Sequence, residues 1–215
     1  LIWHIIPFFA SYFKLFFALI VVSMVANEYS NRTVKQNLID GLSKKEFILS
    51  KFYTIVFFSL ISTVLIFIIS LSIGLYYSSY TELNIIFREV EFLLAYFLKL
   101  VGFFSLCLFL GMFVKRSAFA LAFLFILYIL ENILLGIITW QSNFVLAEKI
   151  QGFFPLQSMW NLINQPFRRI AMTKFPDKSD LAYDYAVHWH EIIIVLIWTS
   201  LFIFLSYRLL KKRDL

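Results

Sequence analysis

Long runs of apolar residues, separated by shorter polar stretches, dominate the chain. Five of these runs are long enough to cross a membrane, since a spanning helix needs about 20 apolar residues. They lie at 5–26, 52–75, 92–114, 117–139 and 189–207. None of them alternates between apolar and polar residues as a membrane β-strand does. The pattern therefore predicts an all-α, polytopic helical membrane protein.

The polar stretch 27–51, between the first two runs, differs sharply from its surroundings. It holds eight charged residues among 25, whereas the 26 residues before it hold only Lys14. Charge at this density cannot lie in hydrocarbon, so we expect the stretch in water against a membrane face.

The same stretch has the local pattern of two short helices joined by an elbow. Asn27 is a candidate N-cap, and Glu28 falls in the first turn, where the helix dipole favours an anion. Gly41 fits the end of a helix, and Ser43 with Glu46 forms a capping box that starts the next one. Apolar residues gather on one side of the first helix and make it amphipathic: Tyr29, Val34, Leu38, Ile39 and Leu42. A loop that only connects two spans is the alternative.

The order of residues in 27–51 also resembles the coupling region of the exporter-type permeases of ABC transporters, the second ABC permease superfamily. The matching positions are Glu28, Thr33, Leu38, Gly41, Leu42, Ser43, Lys44, Lys45, Glu46, Phe47 and Lys51. Many members carry Gly immediately before that Thr, whereas this chain has Arg32. If the position needs a left-handed backbone, Arg suits it poorly, and Asn31 could absorb the turn instead.

The resemblance implies that this coupling region inserts into a groove on a separate ATPase subunit, which binds ATP and Mg. It also implies the type V permease fold, and two permease protomers, identical or different, would pair. Glu28 would hold the angle between span and elbow, and we expect it to pair with Arg32, four residues further on. The expected docking residues are Glu28, Tyr29, Arg32, Lys35 and Leu38.

The family has six spans, so the resemblance implies that five of six are present and that one precedes Leu1. It covers nearly all of the chain, which we expect to form a single transmembrane permease domain, 1–215. The chain itself needs no cofactor in this interpretation.

Composition and charge also place the chain in a membrane. Hydrophobic residues make up 61% of it and the mean hydropathy is +0.84, whereas a soluble globular chain is about 45–50% apolar. The net charge of +6 does not indicate nucleic acid here, because the basic residues flank apolar spans and suit lipid headgroups. With 27–51 in the cytoplasm, that side holds eleven Lys and Arg residues against six on the other. We therefore expect the inner (plasma) membrane, with the C-terminus cytoplasmic.

The loop 140–188 is apolar around Phe153–Ile163, but too short there to span. Pro155 suits the first position of a helix, and we expect Pro166 to end the helix that follows. These signals predict an interfacial or re-entrant pair of short outer helices, as the family has at the outer end of its pathway. The residues expected in an interfacial aromatic belt are Tyr183, Tyr185 and Trp189.

Three charged residues, Lys14, Lys99 and Glu131, lie inside the predicted spans. Counted along the helices, Lys99 and Glu131 lie roughly 10–12 Å below the outer ends of their spans, and Lys14 is near mid-span. Since charges within the bilayer usually pair, one hypothesis is that Glu131 pairs with Lys99 or Lys14 near the translocation path. The alternative is that each lysine extends outward to water and that Glu131 is protonated or hydrogen-bonded within the bundle.

Sequence motifs for catalysis are absent. The chain has no G-x-x-x-x-G-K-[ST], so it cannot itself be the ATPase, and no H-E-x-x-H or G-x-S-x-G. His188 and His190 would point in nearly opposite directions on a helix, so we assign no metal site to them and no catalytic residue. Two other functions stay open: an ion-coupled secondary transporter or channel that uses Lys14, Lys99 and Glu131, and a membrane enzyme built on the cluster His188–Glu191. An apolar, aromatic pathway suits lipids, peptides and drugs alike, so the cargo stays open too.

Overall fold

The computed structural model describes residues 2–31, 33–77, 87, 89–141, 149–167, 169 and 185–212. Within these ranges the chain is helical and contains no strand, so the prediction of an all-α membrane protein is confirmed. The helices are α1 (Ile2–Ala10), α2 (Lys14–Ser30), α3 (Thr33–Ile39), α4 (Lys44–Tyr77), α5 (Glu91–Val114), α6 (Ser117–Gln141), α7 (Pro155–Asn161) and α8 (Trp189–Lys212). A short 3-10 turn, Ser11–Phe13, joins α1 to α2.

Five helical segments are long and apolar enough to cross a membrane: Ile2–Ser30, Lys44–Tyr77, Glu91–Val114, Ser117–Gln141 and Trp189–Lys212. Each contains one of the predicted runs and extends a few residues beyond it. Charged or aromatic residues occur in these extensions, as in Lys44–Lys51 and Arg208–Lys212, as expected where a helix leaves hydrocarbon for the headgroup region.

The first segment continues further than its sequence signals predict. Asn27 is not an N-cap, because it lies inside the last turn of α2, where its carbonyl accepts a hydrogen bond from the backbone of Asn31 at 2.8 Å. The helix ends at Ser30 instead. An N-cap residue must have non-helical backbone angles. The apolar turns before Asn27 are packed in the bundle and stabilise α2, so the helix continues past this residue.

Helix α5 forms the centre of the bundle. In the most apolar 18 residues of α5, 72% is buried, whereas the corresponding share in α6 is 11%. Helix α5 packs against α2, α4, α6 and α8. Two glycines permit this close packing. A Cβ on Gly102 would lie 3.1 Å from Val195 on α8, and one on Gly111 would lie 3.3 Å from Val25 on α2. Small residues at such contacts let helix backbones approach closely within a bilayer.

Helix α7 packs into the bundle rather than lying on its surface. Pro155 occupies the start of α7 as predicted, and the core side chains Met159, Leu162 and Ile163 are buried. The helix ends at Asn161, well before Pro166, so the prediction that Pro166 ends it is wrong. Arg168, Lys174, Lys178 and Tyr183 lie outside the described residues.

Candidate coupling site

The elbow between α2 and α4 consists of α3 and the two turns that flank it. At the first turn, the hydroxyl of Thr33 donates a hydrogen bond to the carbonyl of Glu28 at 3.2 Å. This bond satisfies one of the carbonyls that the end of α2 leaves without a helical partner. Arg32 lies outside the described residues, so the predicted pairing of Glu28 with Arg32 and the docking role of Arg32 stay predictions.

The second turn has the caps that its sequence predicts. Gly41 has φ of +102°, and the backbone N–H groups of Gly41 and Leu42 donate to the carbonyls of Leu38 and Asn37 at 3.4 and 3.1 Å. This pair of bonds is a Schellman motif, which ends a helix at a left-handed residue. The capping box then starts α4: the backbone of Ser43 donates to the Glu46 carboxylate at 2.9 Å, and the backbone of Glu46 donates to the Ser43 hydroxyl at 3.2 Å.

Glu28 joins the two long helices on either side of the elbow. Its carboxylate forms an ion pair with the ammonium group of Lys51, and both side chains are largely buried. The same ammonium lies 5.3 Å from the ring centre of Phe47. A half-buried ion pair is held more firmly than an exposed one, because water screens it less. Glu28 and Lys51 therefore close the elbow into a loop anchored on both spans.

A basic cleft of about 550 Å³ opens between the elbow and the turn that joins α5 to α6. Tyr29, Val34 and Lys35 line it from the elbow, while Lys115 and Arg116 line it from the turn. Lys115 has φ of +60° and ends α5, and its ammonium group lies 5.8 Å from the ring centre of Tyr29. The three cations that line this coupling cleft suit an acidic partner surface.

The structure places the described docking residues in three different surroundings. Tyr29 and Lys35 line the coupling cleft, Glu28 is engaged in the ion pair, and Leu38 packs partly buried against the core. The exposed apolar residue on α3 is Ile39, at 74% exposure. Sequence reasoning missed Ile39, Lys115 and Arg116 as surface residues of this site. The sequence did contain a signal for Lys115 and Arg116, because they form a basic pair in a short turn on the same side of the membrane as the elbow.

Glu131 serves the N-terminus of α7 rather than a lysine. Its two carboxylate oxygens accept hydrogen bonds from the backbone N–H groups of Leu156 and Gln157, at 3.1 and 3.2 Å. These donors have no partner within their own helix, and the dipole of a helix favours an anion at this end. The hypothesis that Glu131 pairs with Lys14 or Lys99 is therefore wrong. Hydrogen bonding within the bundle, the alternative for Glu131, is what the structure contains.

Lys99 occupies the opposite end of α7. Its ammonium group lies 3.5 Å from the carbonyl oxygen of Trp160 and 5.0 Å from the centre of that indole ring. Lys14 approaches the same ring at 5.2 Å and the ring of Phe103 at 4.9 Å. Both lysines are buried, so the expectation that they extend outward to water is wrong. Aromatic faces attract cations, most strongly where water is excluded, which makes Trp160 a shared partner for both.

A second polar cluster ties α1 to the beginning of α5 and to the segment after α7. The His4 ring stacks on Phe92 at 4.4 Å, and its Nε2 atom lies 2.8 Å from the carbonyl oxygen of Asn164. Nearby, Arg169 forms an ion pair with Glu89. Burial raises the pKa of the Glu89 carboxyl, but the hydrogen bond from Arg169 and nearby positive charge bring that pKa below its ordinary value. The pair is therefore charged at neutral pH.

The histidines at the start of α8 lie closer together than predicted. His188 precedes the helix, and its ring centre is 5.3 Å from that of His190. The prediction that the two side chains point in nearly opposite directions assumed that both residues lie on one helix. Across the described ranges, no three His, Cys, Asp or Glu side chains are grouped as metal ligands would be.

Comparison with known proteins agrees with the helical architecture. A family model described as ABC-2 family transporter protein matches residues 2–215. A search of curated proteins found no match. The family match extends over nearly the whole chain, and the five apolar helices have the form of a multi-pass transporter. The chain therefore belongs to the ABC-2 family of transporter proteins.

Proposed function

We propose that this ABC transporter permease exports its cargo by taking up the movement of a separate ATPase subunit through the elbow formed by α3 and its flanking turns. The ATPase would bind ATP and Mg and would close upon nucleotide binding. The elbow would convert that closure into rigid-body movement of the spans. A second permease protomer would complete the pathway, with the elbow and the C-terminus in the cytoplasm of a cell whose inner membrane holds the complex.

The observation that carries the proposal is the way in which the elbow is fixed. A segment that transmits displacement must itself resist bending. The second turn is closed by a Schellman motif and a capping box, while the Glu28–Lys51 ion pair fastens the elbow to both spans. A loop that only connects two spans has no need of three such devices within one short segment.

The coupling cleft supports a protein partner of complementary charge. Lys35, Lys115 and Arg116 line it, and Ile39 on the exposed side of α3 offers an apolar contact. A docked ATPase with acidic side chains opposite the cleft would pair these charges and cover Ile39. Mixed apolar and charged contacts of this kind are typical of interfaces between separate proteins.

The intramembrane charges favour this function over an ion-coupled transporter. Glu131 and Lys99 are engaged at the two ends of α7. An ion pathway needs groups that can release and accept their ion, whereas these two groups hold a helix in place. Neither the ion-coupled transporter nor the membrane enzyme has an observation in its favour.

The experiment that tests the proposal exchanges the charges of the ion pair. We expect Glu28→Lys and Lys51→Glu, each alone, to insert and to bind the ATPase but to lose ATP-driven movement. The double exchange restores the ion pair in reverse and should restore the movement. The measurement is the distance between spin labels at Trp140→Cys on two protomers of the reconstituted complex, with and without ATP.

Lys149→Gln is the matched control, because Lys149 is an exposed cation in the outer loop. Normal ATP-driven distance changes in both single variants would count against the proposal.

A further inference from the structure

A groove lies on the surface of the bundle along the seam between α4 and α8. Its volume is about 500 Å³. The lining residues include Lys45 and Leu49 from α4, and Ser200, Ile203, Phe204 and Tyr207 from α8. Apart from Lys45 and Ser200, these walls are large apolar or aromatic side chains. We call this feature the α4/α8 groove.

The position of the α4/α8 groove in the membrane follows from the helix ends beside it. Helix α4 begins at Lys44 and α8 ends at Lys212, so both ends lie at one membrane face. The ammonium group of Lys44 reaches the carbonyl oxygen of Lys211 at 3.4 Å and joins the two ends. At 1.5 Å per residue, Ser200 lies about 18 Å from the end of α8. The groove therefore reaches about as deep as one leaflet of a bilayer whose hydrocarbon core is roughly 30 Å thick.

The mouth of the α4/α8 groove is positively charged. Lys45 is exposed at its rim, and the guanidinium carbon of Arg208 lies 5.3 Å from the ring centre of Phe204, a wall residue. The acidic residue in the first turn of α4, Glu46, accepts the backbone hydrogen bond of Ser43 in the capping box. Its carboxylate is thereby engaged in capping the beginning of its own helix.

We propose that the α4/α8 groove binds a glycerophospholipid whose headgroup carries a net negative charge. One acyl chain lies along the apolar walls, and the phosphate lies between Lys45 and Arg208. Basic pockets between transmembrane helices recognise anionic headgroups, and the volume is within the usual range of roughly 300–1,000 Å³ for ligand sites. The site is separate from the coupling cleft and does not depend on the proposed function.

The side chains of the wall favour a lipid over another helix. Helices that pack together within a bilayer place small residues at their contacts. Here Phe204, which is 52% exposed, Tyr207 and Leu49 project from the walls, and Ser200 is the small residue among those named. Flexible acyl chains can follow such an uneven surface, whereas a helix backbone could not approach it closely.

The test measures which lipids stay bound to the full chain. The protein is purified in mild detergent, supplied with dioleoyl phosphatidylglycerol or dioleoyl phosphatidylcholine, and examined by native mass spectrometry. We expect preferential retention of phosphatidylglycerol. Lys45→Gln or Arg208→Gln should weaken it by about fivefold each, since one basic residue near a membrane surface contributes on that order. Ser200→Phe fills the apolar part and should reduce retention of both lipids.

Two matched variants provide the controls. Lys149→Gln removes an exposed cation elsewhere, and Ser72→Phe adds a ring at an exposed position of α4 beyond the groove. Both should retain phosphatidylglycerol as the unaltered chain does. Equal retention of the two lipids, or undiminished phosphatidylglycerol in the Lys45→Gln/Arg208→Gln double variant, would overturn the proposal. So would efficient cross-linking of Ser200→Cys to another protein chain, because the groove would then be covered by protein.

Discussion

Glu131 and Lys99 show how a bilayer tolerates buried charge without an ion pair between side chains. Each is placed at the end of α7 that has the opposite partial charge: Glu131 at the N-terminal donors, and Lys99 at the Trp160 carbonyl. In hydrocarbon the backbone donors have no water to bond, so the Glu131 carboxyl group satisfies them instead. Lys99 adds a donor at the Trp160 carbonyl, which also accepts a hydrogen bond from the backbone of Ile163 at 3.4 Å. The two charges therefore fix a short helix that could not be stable alone.

Removing the Glu131 carboxylate should release the N-terminus of α7. We expect Glu131→Ala to lower the free energy of unfolding by about 2–4 kcal/mol, because two hydrogen bonds are lost and their donors stay buried. Glu131→Gln, which keeps an acceptor oxygen, should cost less. Thermal unfolding in detergent measures both. Asn132→Ala is the control, since that exposed amide bonds only to the Tyr128 carbonyl of its own helix; an equal loss there would contradict the assignment.

The ring of Trp160 should contribute to stability through both lysines. We expect Trp160→Leu to destabilise the chain more than Trp140→Leu, because Trp140 is 89% exposed and has no comparable cation contact among the described residues. Each cation–ring contact contributes roughly 0.5–2 kcal/mol. A double-mutant cycle with Lys14→Met isolates one of them. Additive effects of Trp160→Leu and Lys14→Met would show that the contact contributes nothing.

The sequence could not name these partners. It places three charges inside the predicted spans, but it cannot show that Glu131 meets Leu156, which is 25 residues further along the chain. Only the tertiary fold brings α7 to the carboxylate. The Glu28–Lys51 ion pair is missed for the same reason, because the elbow must fold back before the two residues meet.

At the scale of elements, local signals were reliable where the interactions are themselves local. The capping box and the Gly41 turn join residues three to five positions apart, so both can be predicted from the sequence. The prediction of an N-cap at Asn27 is wrong because the neighbouring residues of α2 continue the helix. A cap signal predicts an end only when the packing of the preceding turns does not override it.

Gly41→Ala should loosen the elbow without any steric clash. A Cβ at Gly41 would meet nothing within 4 Å, so the cost comes from φ of +102° alone and is about 1–2 kcal/mol. Hydrogen exchange of the amides around residues 38–46 should accelerate accordingly. Gly136→Ala is the matched control, because Gly136 is also in open space but within α6, where Ala is favoured by about 0.5–1 kcal/mol. Unchanged exchange in Gly41→Ala would mean that the turn is not held as described.

For the whole molecule, apolar runs predict the number and order of the spans but not their arrangement. Helices α5 and α6 are similarly apolar, yet one is the centre of the bundle and the other is largely exposed. Hydrocarbon and protein interior are alike in polarity, so apolar character cannot separate them. Gly102 and Gly111 are the sequence features that distinguish α5, because they mark close approaches of neighbouring helices.

The central claim is that the elbow docks an ATPase on the cytoplasmic side. Photo-cross-linking tests it most directly, with the reactive residue placed at Ile39 on the exposed side of α3 or at Trp140 at the far end of α6 in intact membranes. We predict that Ile39 cross-links to a subunit whose sequence contains a G-x-x-x-x-G-K-[ST] motif and that Trp140 does not. Labelling of an Ile39→Cys variant by a membrane-impermeant thiol reagent from outside the cell, or the absence of any ATPase among the products cross-linked at position 39, would contradict the account.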